Sequence, residues 1–229
     1  MAPIKIDQVI YSRRRTIAIQ IDRQGRVVVR APLHANRQFI EQFVADKSSW
    51  IESKLKLISS LGQGCGHPAG PARFSPGMNF LYLGQEFPLE ITAVQSRPLV
   101  HDRAFHLRQS DRSRAPAVFE AWYKSQARRV FTERVAHFAN KYQLNVMRIR
   151  LSSARTRWGS CSQTGTISLT WRLVMAPLPA IDYVVVHELA HLTEKNHGPR
   201  FWAKVESMQP EYRIWRKWLK DNAACLEWE

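Results

Sequence analysis

No apolar run in this chain of 229 residues approaches the roughly 18–20 residues that a membrane helix needs, so no membrane span is expected. Met1 to Ser12 contains no apolar h-region and Arg13-Arg14-Arg15 follows at once, which argues against a secretory signal. Cysteine is scarce. Cys65, Cys161 and Cys225 are odd in number, widely spaced and form no CxxC pair, so no disulfide framework is expected and a reducing cytoplasm fits. Internal repeats and low-complexity runs are absent. Acidic residues are also in short supply: 19 Asp and Glu stand against 34 Lys and Arg, a net charge of +15. What remains is the make-up of a soluble globular protein, 45% apolar and 23% charged, long enough for one large domain or two small ones.

The positive excess is spread over both halves, so it is not a basic tail. Between Arg134 and Ile181 there is no acid at all, while Arg134, Lys141, Arg148, Arg150, Arg155, Arg157 and Arg172 are all present. A block like this favours an anionic partner such as a phosphate, a nucleic acid or a substrate carboxylate. A solvated basic face, or arginines paired with acids from elsewhere in the chain, is the plainer reading.

Local patterns predict an α+β protein. Residues 6–30 alternate as strands, with a Gly-containing turn at Asp22–Gly25, and read as a small antiparallel meander. Residues 36–60 carry Phe39, Ile40, Phe43, Val44, Trp50, Ile51, Leu55 and Ile58 at helical spacing, behind Asn36 as N-cap. Residues 62–77 are rich in Gly and Pro and read as a loop. Strand-like pairs return over 78–109. A long amphipathic helix is expected from about Ala117 to Tyr142, then strands at Val146–Leu151 and Thr166–Leu173. Helices follow from Ala180 to about Thr193, from Pro199, and over Glu211–Asn222. These elements divide into a β-rich N-terminal region, 1–115, and a helix-strand-strand-helix domain, 116–229.

The sharpest chemical signal is His187-Glu188-Leu189-Ala190-His191, within the helix that begins with Tyr183-Val184-Val185-Val186. Positions i and i+4 lie one turn apart, so both imidazoles can reach one metal ion at about 2.0–2.1 Å. Glu188 lies about 100° round the helix from His187, beside the ion, where it can act on a water instead of ligating. A catalytic zinc keeps three protein ligands and leaves a fourth position for water. His197 is the leading third ligand, because Gly198-Pro199 lets the chain turn back; Glu206 and Glu211 are the fallbacks. Zinc is the default ion for such imidazole ligands, one per chain. Cys161 has no histidine at a telling spacing and reads as a packed thiol.

Arg157-Trp158-Gly159-Ser160-Cys161-Ser162, Ile167 to Leu173, Pro177, Ile181 to Leu192 and Asn196 to Trp202 together resemble the YgjP-like family of bacterial zinc metallopeptidase-like proteins. The resemblance is close over about 145–205 and looser in the N-terminal region. Two positions depart from the pattern: Thr170 where an Asn is common, and Gly198 where a Ser is common. The resemblance implies a minimal zincin domain, related to SprT-like domains, with zinc on His187, His191 and His197 and Glu188 as general base.

The expected activity is metal-assisted hydrolysis, most simply of a peptide or protein. Glu188 takes the proton of the attacking water, and Arg157 or Arg172 faces the developing oxyanion. Strand Thr166–Leu173 is expected to be the sheet edge that pairs with an extended peptide. Arg157 has a structural alternative, pairing with Asp182 or a carbonyl. A second reading is hydrolysis of a nucleoside triphosphate, with Arg150, Arg155 and Arg157 clamping the phosphates. A third is a nucleic-acid-associated protease or binding module, for which only the pair Arg157-Trp158 speaks.

Overall fold

The computed structural model describes residues 4–21, 26–49, 51–52, 55 and 73–227. The chain falls into two compact units, Met1–Gly66 and His67–Glu229.

The first unit contains strands β1 (Gln8–Ser12), β2 (Ala18–Ile21) and β3 (Val27–Pro32) and helix α1 (Arg37–Asp46). Val27, Val29 and Ala31 alternate along β3 and are all buried, together with Ile40, Val44 and Ile51 from the helical stretch. That burial puts β3 in the centre of the sheet, in the order β1-β3-β2. β2 is antiparallel to β3 but β1 is parallel to it, so the expected all-antiparallel meander is corrected to a mixed sheet. The Asp22–Gly25 turn lies outside the described residues. Asn36 caps α1 by accepting from the Phe39 amide at 2.7 Å, as its side chain predicts. Phe39 itself points to solvent. Helical backbone recurs at 48–49, 51–52 and 55. The rest of the expected 36–60 helix and residues 62–72 of the Gly/Pro-rich loop lie outside the described residues.

The second unit opens with β4 (Asn79–Tyr82), β5 (Gln85–Thr92), β6 (Leu99–His101) and β7 (Phe105–Arg108), ordered β4-β5-β7-β6. Helix α2 (Ala115–Lys141) lies against this sheet through aromatic contacts, the Phe80 and Phe119 rings standing 4.3 Å apart. Phe80, Phe105, Phe119, Trp171, Val185 and Leu189 belong to one core. The boundary expected at 115/116 therefore falls inside the second unit, because the sheet cannot bury its aromatic face without α2.

A second sheet contains β8 (Arg148–Ser152), β9 (Gly159–Cys161) and β10 (Thr166–Thr170), in the order β8-β10-β9. β9 is too short to show any alternation, and the sequence gives no sign of it. Its presence makes β10 the central strand, so the expectation that Thr166–Leu173 is a sheet edge is overturned. Residues Trp171–Met175 form a buried 3-10 turn instead of prolonging the strand. Helix α3 (Leu178–Ala190) starts at the expected prolines and is buried on nearly every side, as its apolar sequence requires. Arg134 on α2 donates to both carboxylate oxygens of Asp182 on α3, at 2.6 and 2.9 Å, and fixes the two helices in register. The Leu83-Gly84 turn donates two backbone hydrogen bonds to Val174 and Met175, just before α3. Gly84 has φ +79° and a Cβ there would lie 2.6 Å from Pro177, so no other residue fits this seat. Helices α4 (Pro199–Met208) and α5 (Tyr212–Asp221) complete the unit.

The mixed α+β class matches the expectation. No helix among the described residues is long and apolar enough to cross a membrane. Cys161 is a free thiol, but Cys225 is disulfide-bonded. The expectation of three unpaired cysteines is thereby corrected, and the step from unpaired thiols to a reducing compartment no longer holds.

Candidate metal centre

α3 runs out at Ala190, so His187 sits in its last turn and His191 is its C-cap. The chain then tightens: the Leu192 amide bonds to the Leu189 carbonyl at 3.0 Å, and the Glu194 amide to the Ala190 carbonyl at 2.9 Å. That turn swings residues 196–198 back over the helix end. His197 Nε2 comes to 3.0 Å from His187 Nε2 and 3.1 Å from His191 Nε2. Three ligand nitrogens each about 2.05 Å from a tetrahedral ion stand roughly 3.3 Å apart, close to the observed spacing. Among the described residues these three histidines are the one cluster that could hold a metal ion. Glu206 and Glu211 lie outside it, and Glu206 pairs with Arg213 at 3.6 Å.

The donor chemistry suits an ion. His191 Nδ1 stands 3.1 Å from the Glu194 carbonyl, which selects the Nδ1–H tautomer and leaves the Nε2 lone pair for a ligand. Burial, reinforced by the charges of His191, His197 and Arg216, pushes the His187 pKa down to about 3, so this imidazole is neutral at pH 7. Burial likewise lowers His191. His187 Nδ1 is buried without a hydrogen-bond partner among the described residues. Phe201 and Trp202 of α4 wall the imidazoles, with ring centroids 4.6–5.9 Å away.

Glu188 is 5% exposed. Burial raises its pKa to about 7, against the opposing charge of Arg157. β9 crosses the carboxyl so closely that a Cβ on Gly159 would lie 2.6 Å from Glu188 Oε1. Gly159 is thus a site residue that motif spacing misses; a lone glycine in a short extended stretch is the one signal of such a close backbone approach. Cys161, two residues on, shares the face of Gly159, and burial followed by the Glu188 charge raises its pKa.

The sequence-predicted arginines separate. Arg157 is exposed and its charge is felt at Glu188, while its expected alternative partner Asp182 is taken by Arg134. Arg172 is 8% exposed, donates to the Ser153 carbonyl at 3.2 Å and lies over the Trp171 ring. These contacts are those of an arginine packed in the turn after β10. Arg150 pairs in register with Ser168, and Ser168 with Ser160, so it shares the face of Ser160, opposite to that of Gly159. The phosphate clamp expected from Arg150, Arg155 and Arg157 is therefore not assembled around the metal centre, because Arg150 projects from the other side of the sheet.

Three converging imidazoles on and just past a helix, with a buried glutamate in the same turn, define a metallohydrolase site. The family model for the YgjP-like metallopeptidase domain matches residues 15–222, and the chain belongs to that family. Membership in a metallopeptidase family implies a bound metal ion. Among curated proteins, a UTP pyrophosphatase of Escherichia coli (strain K12) is 32% identical over 68 residues, which are 30% of this chain and 41% of the relative. The match thus spans less than half of that relative's length. Among solved structures, the metallopeptidase zymogen of Pyrococcus abyssi abylysin is similar over 39% of this chain and 92% of its own, with 22% identity and a TM-score of 0.36.

Proposed function

We propose that the protein is a zinc-dependent metallopeptidase with one ion held by His187, His191 and His197 and with Glu188 as general base. The observation that carries the reading is the approach of His197 Nε2 to 3.0 and 3.1 Å from the Nε2 atoms of His187 and His191, beside a buried carboxyl. Neutral imidazoles are borderline donors that favour zinc among the common divalent ions. When bound, the ion supplies Lewis acidity to a water and to the carbonyl under attack.

Glu188 receives the water's proton on its carboxylate and returns it to the leaving amine. A pKa near 7 suits both halves of that transfer. Arg157 stands on the Glu188 side and is the group proposed to face the oxyanion; Arg172 no longer serves, being buried against Trp171. β9 takes the place of β10 as the strand that pairs with an extended substrate, since it is the edge of its sheet beside Glu188. The helix-strand-strand-helix plan of a minimal zincin is part of the same proposal, with β9 added.

A nucleoside triphosphate is the second reading, favoured by the name of the curated relative and by the net charge of +15. The third, a nucleic-acid-associated role, gains no support from the site. Zinc-loaded protein offered a denatured protein and, separately, UTP distinguishes the first two. Peptide cleavage that disappears in Glu188→Gln is the expected result. Pyrophosphate release from UTP that disappears in the same variant, with no peptide cleavage, would replace the peptidase by the second reading.

A further inference from the structure

The metal centre has a second cationic neighbour that no motif announces. Arg216 lies on α5, four residues after buried Tyr212 and three before buried Leu219, so it emerges at the edge of the helix's packed face. Its guanidinium carbon stands 4.7 Å from the Trp202 ring centroid. Trp202 in turn lies 5.9 Å from both the His187 and the His197 rings, and stacks nearly parallel to Tyr212 at 5.5 Å. The guanidinium is therefore held on a rigid aromatic ledge one ring away from the imidazoles.

A guanidinium stacked on tryptophan keeps its in-plane N–H donors available for a planar or tetrahedral anion. Among the described residues no carboxylate forms an ion pair with Arg216. Two acids of these helices are engaged elsewhere, Glu206 with Arg213 at 3.6 Å and Asp221 with Lys217 at 2.6 Å, while Glu211 at the N-cap of α5 forms no ion pair among the described residues. Glu188 is buried against Gly159 of β9 and feels the charge of Arg157. Two cations thus stand near the site, Arg157 through its charge on Glu188 and Arg216 over Trp202.

We propose that Arg216 is a specificity-determining residue that grips an anionic group of the substrate, a carboxylate or a phosphate, close to the bond that is cut. The proposal deepens the metallohydrolase reading and rests on it for the identity of the site. It does not depend on whether the bond is an amide or a phosphoanhydride.

Binding to the catalytically silent protein tests it. Full-length Glu188→Gln, loaded with zinc, is titrated calorimetrically with three probes: a pentapeptide bearing a succinyl cap, the same peptide with an acetyl cap, and UTP. The titrations are repeated with Arg216→Gln and Arg216→Lys in the same background. The expected result is that Arg216→Gln weakens at least one anionic probe tenfold or more and leaves the acetylated peptide within twofold. Arg216→Lys recovers part of the loss, because it restores charge without the planar fork. Whether the succinyl peptide or UTP carries the effect tells carboxylate from phosphate. Zinc content and melting temperature unchanged in Arg216→Gln exclude a merely structural cause.

An equal loss for charged and uncharged probes, no loss for any, or no measurable binding of either anion to the protein that retains Arg216 would overturn the proposal. Its failure is separable from that of the peptidase reading. If the protein with Glu188 intact cleaves no peptide while the charge-dependent binding persists, the peptidase reading fails and the role of Arg216 stands.

Discussion

Burial of the Glu188 carboxyl penalises its ionised form, and the penalty has a definite pH dependence. The folded-state pKa of about 7 lies above the ordinary value of 4.5, so between those values the folded protein binds more protons than the unfolded chain. Stability therefore falls as pH rises from about 4.5 to about 7, and the loss is complete above that. In metal-free protein the neutral Glu188→Gln is expected to be more stable than its parent at pH 8, by on the order of 3 kcal/mol, with the difference shrinking towards pH 4.5. Urea unfolding in the presence of chelator, repeated across that range, reads the difference directly. A difference that stays constant with pH would show that the carboxyl is solvated after all. Arg157 opposes the shift, so Arg157→Gln raises the Glu188 pKa further and moves the acid limb of the pH–rate profile upward. Residues set by local spacing are the ones the sequence reveals: His187, Glu188 and His191 share one helical turn, and Gly198-Pro199 marks the turn that returns His197. The burial of Arg172 is illegible for the opposite reason, since nothing in its neighbours announces that it packs over Trp171.

Among the elements, β9 has most to do with the chemistry and is least visible beforehand. Its three residues carry no hydrophobic period, and only pairing with β10 through Ile167, Ser168 and Leu169 makes it a strand. That pairing presses Gly159 against Glu188. Gly159→Ala should displace the carboxylate and lower kcat by roughly 10²-fold, while zinc content stays at the parent level. A variant of unchanged kcat would mean that β9 yields easily and that the close approach has no catalytic role. The helices are better marked. Prolines at the start of α3 and α4 and the apolar run 183–186 fix their places, whereas the end of α3 at Ala190 comes three residues earlier than periodicity suggests, because the tightened turn draws His191 out as a cap. At the start of α4, Gly198 is an N-cap with extended backbone, no side-chain cap and no atom within 4 Å of a built Cβ. Gly198→Ser should supply the missing acceptor and stabilise the protein by about 0.5 kcal/mol, measured as a small rise in urea midpoint at unchanged slope. A lower midpoint would place the hydroxyl against something other than the orphan amides.

For the molecule as a whole, the sequence reveals class more readily than organisation. The α+β content is written in the local periods, but the 115/116 boundary is not where the chain divides. The sheet of β4–β7 is joined to α2 by ring contacts such as Phe80–Phe119 and Phe105–Trp122, which no local pattern announces. In the same way the long acid-free block from 134 to 181 does not form one anion site. Arg134 is spent on Asp182, Arg172 lies over Trp171 and Arg150 is on the far face of its sheet, while Arg216, on a different helix, lies over Trp202. An ion on His187, His191 and His197 would tie the end of α3 to the 191–198 turn, so its binding would also be stabilisation. At a free zinc concentration of about 1,000 times Kd it adds roughly 4 kcal/mol, or about 8–16 °C in Tm for a chain of this size. The most direct test of the central claim is elemental analysis of purified protein after zinc has been added back and the excess removed. One zinc per chain is predicted, falling to less than about a tenth of that in His197→Ala and in His187→Ala, both still folded by circular dichroism. Zinc-free protein after reconstitution, or a zinc content that survives loss of His197, would contradict the account.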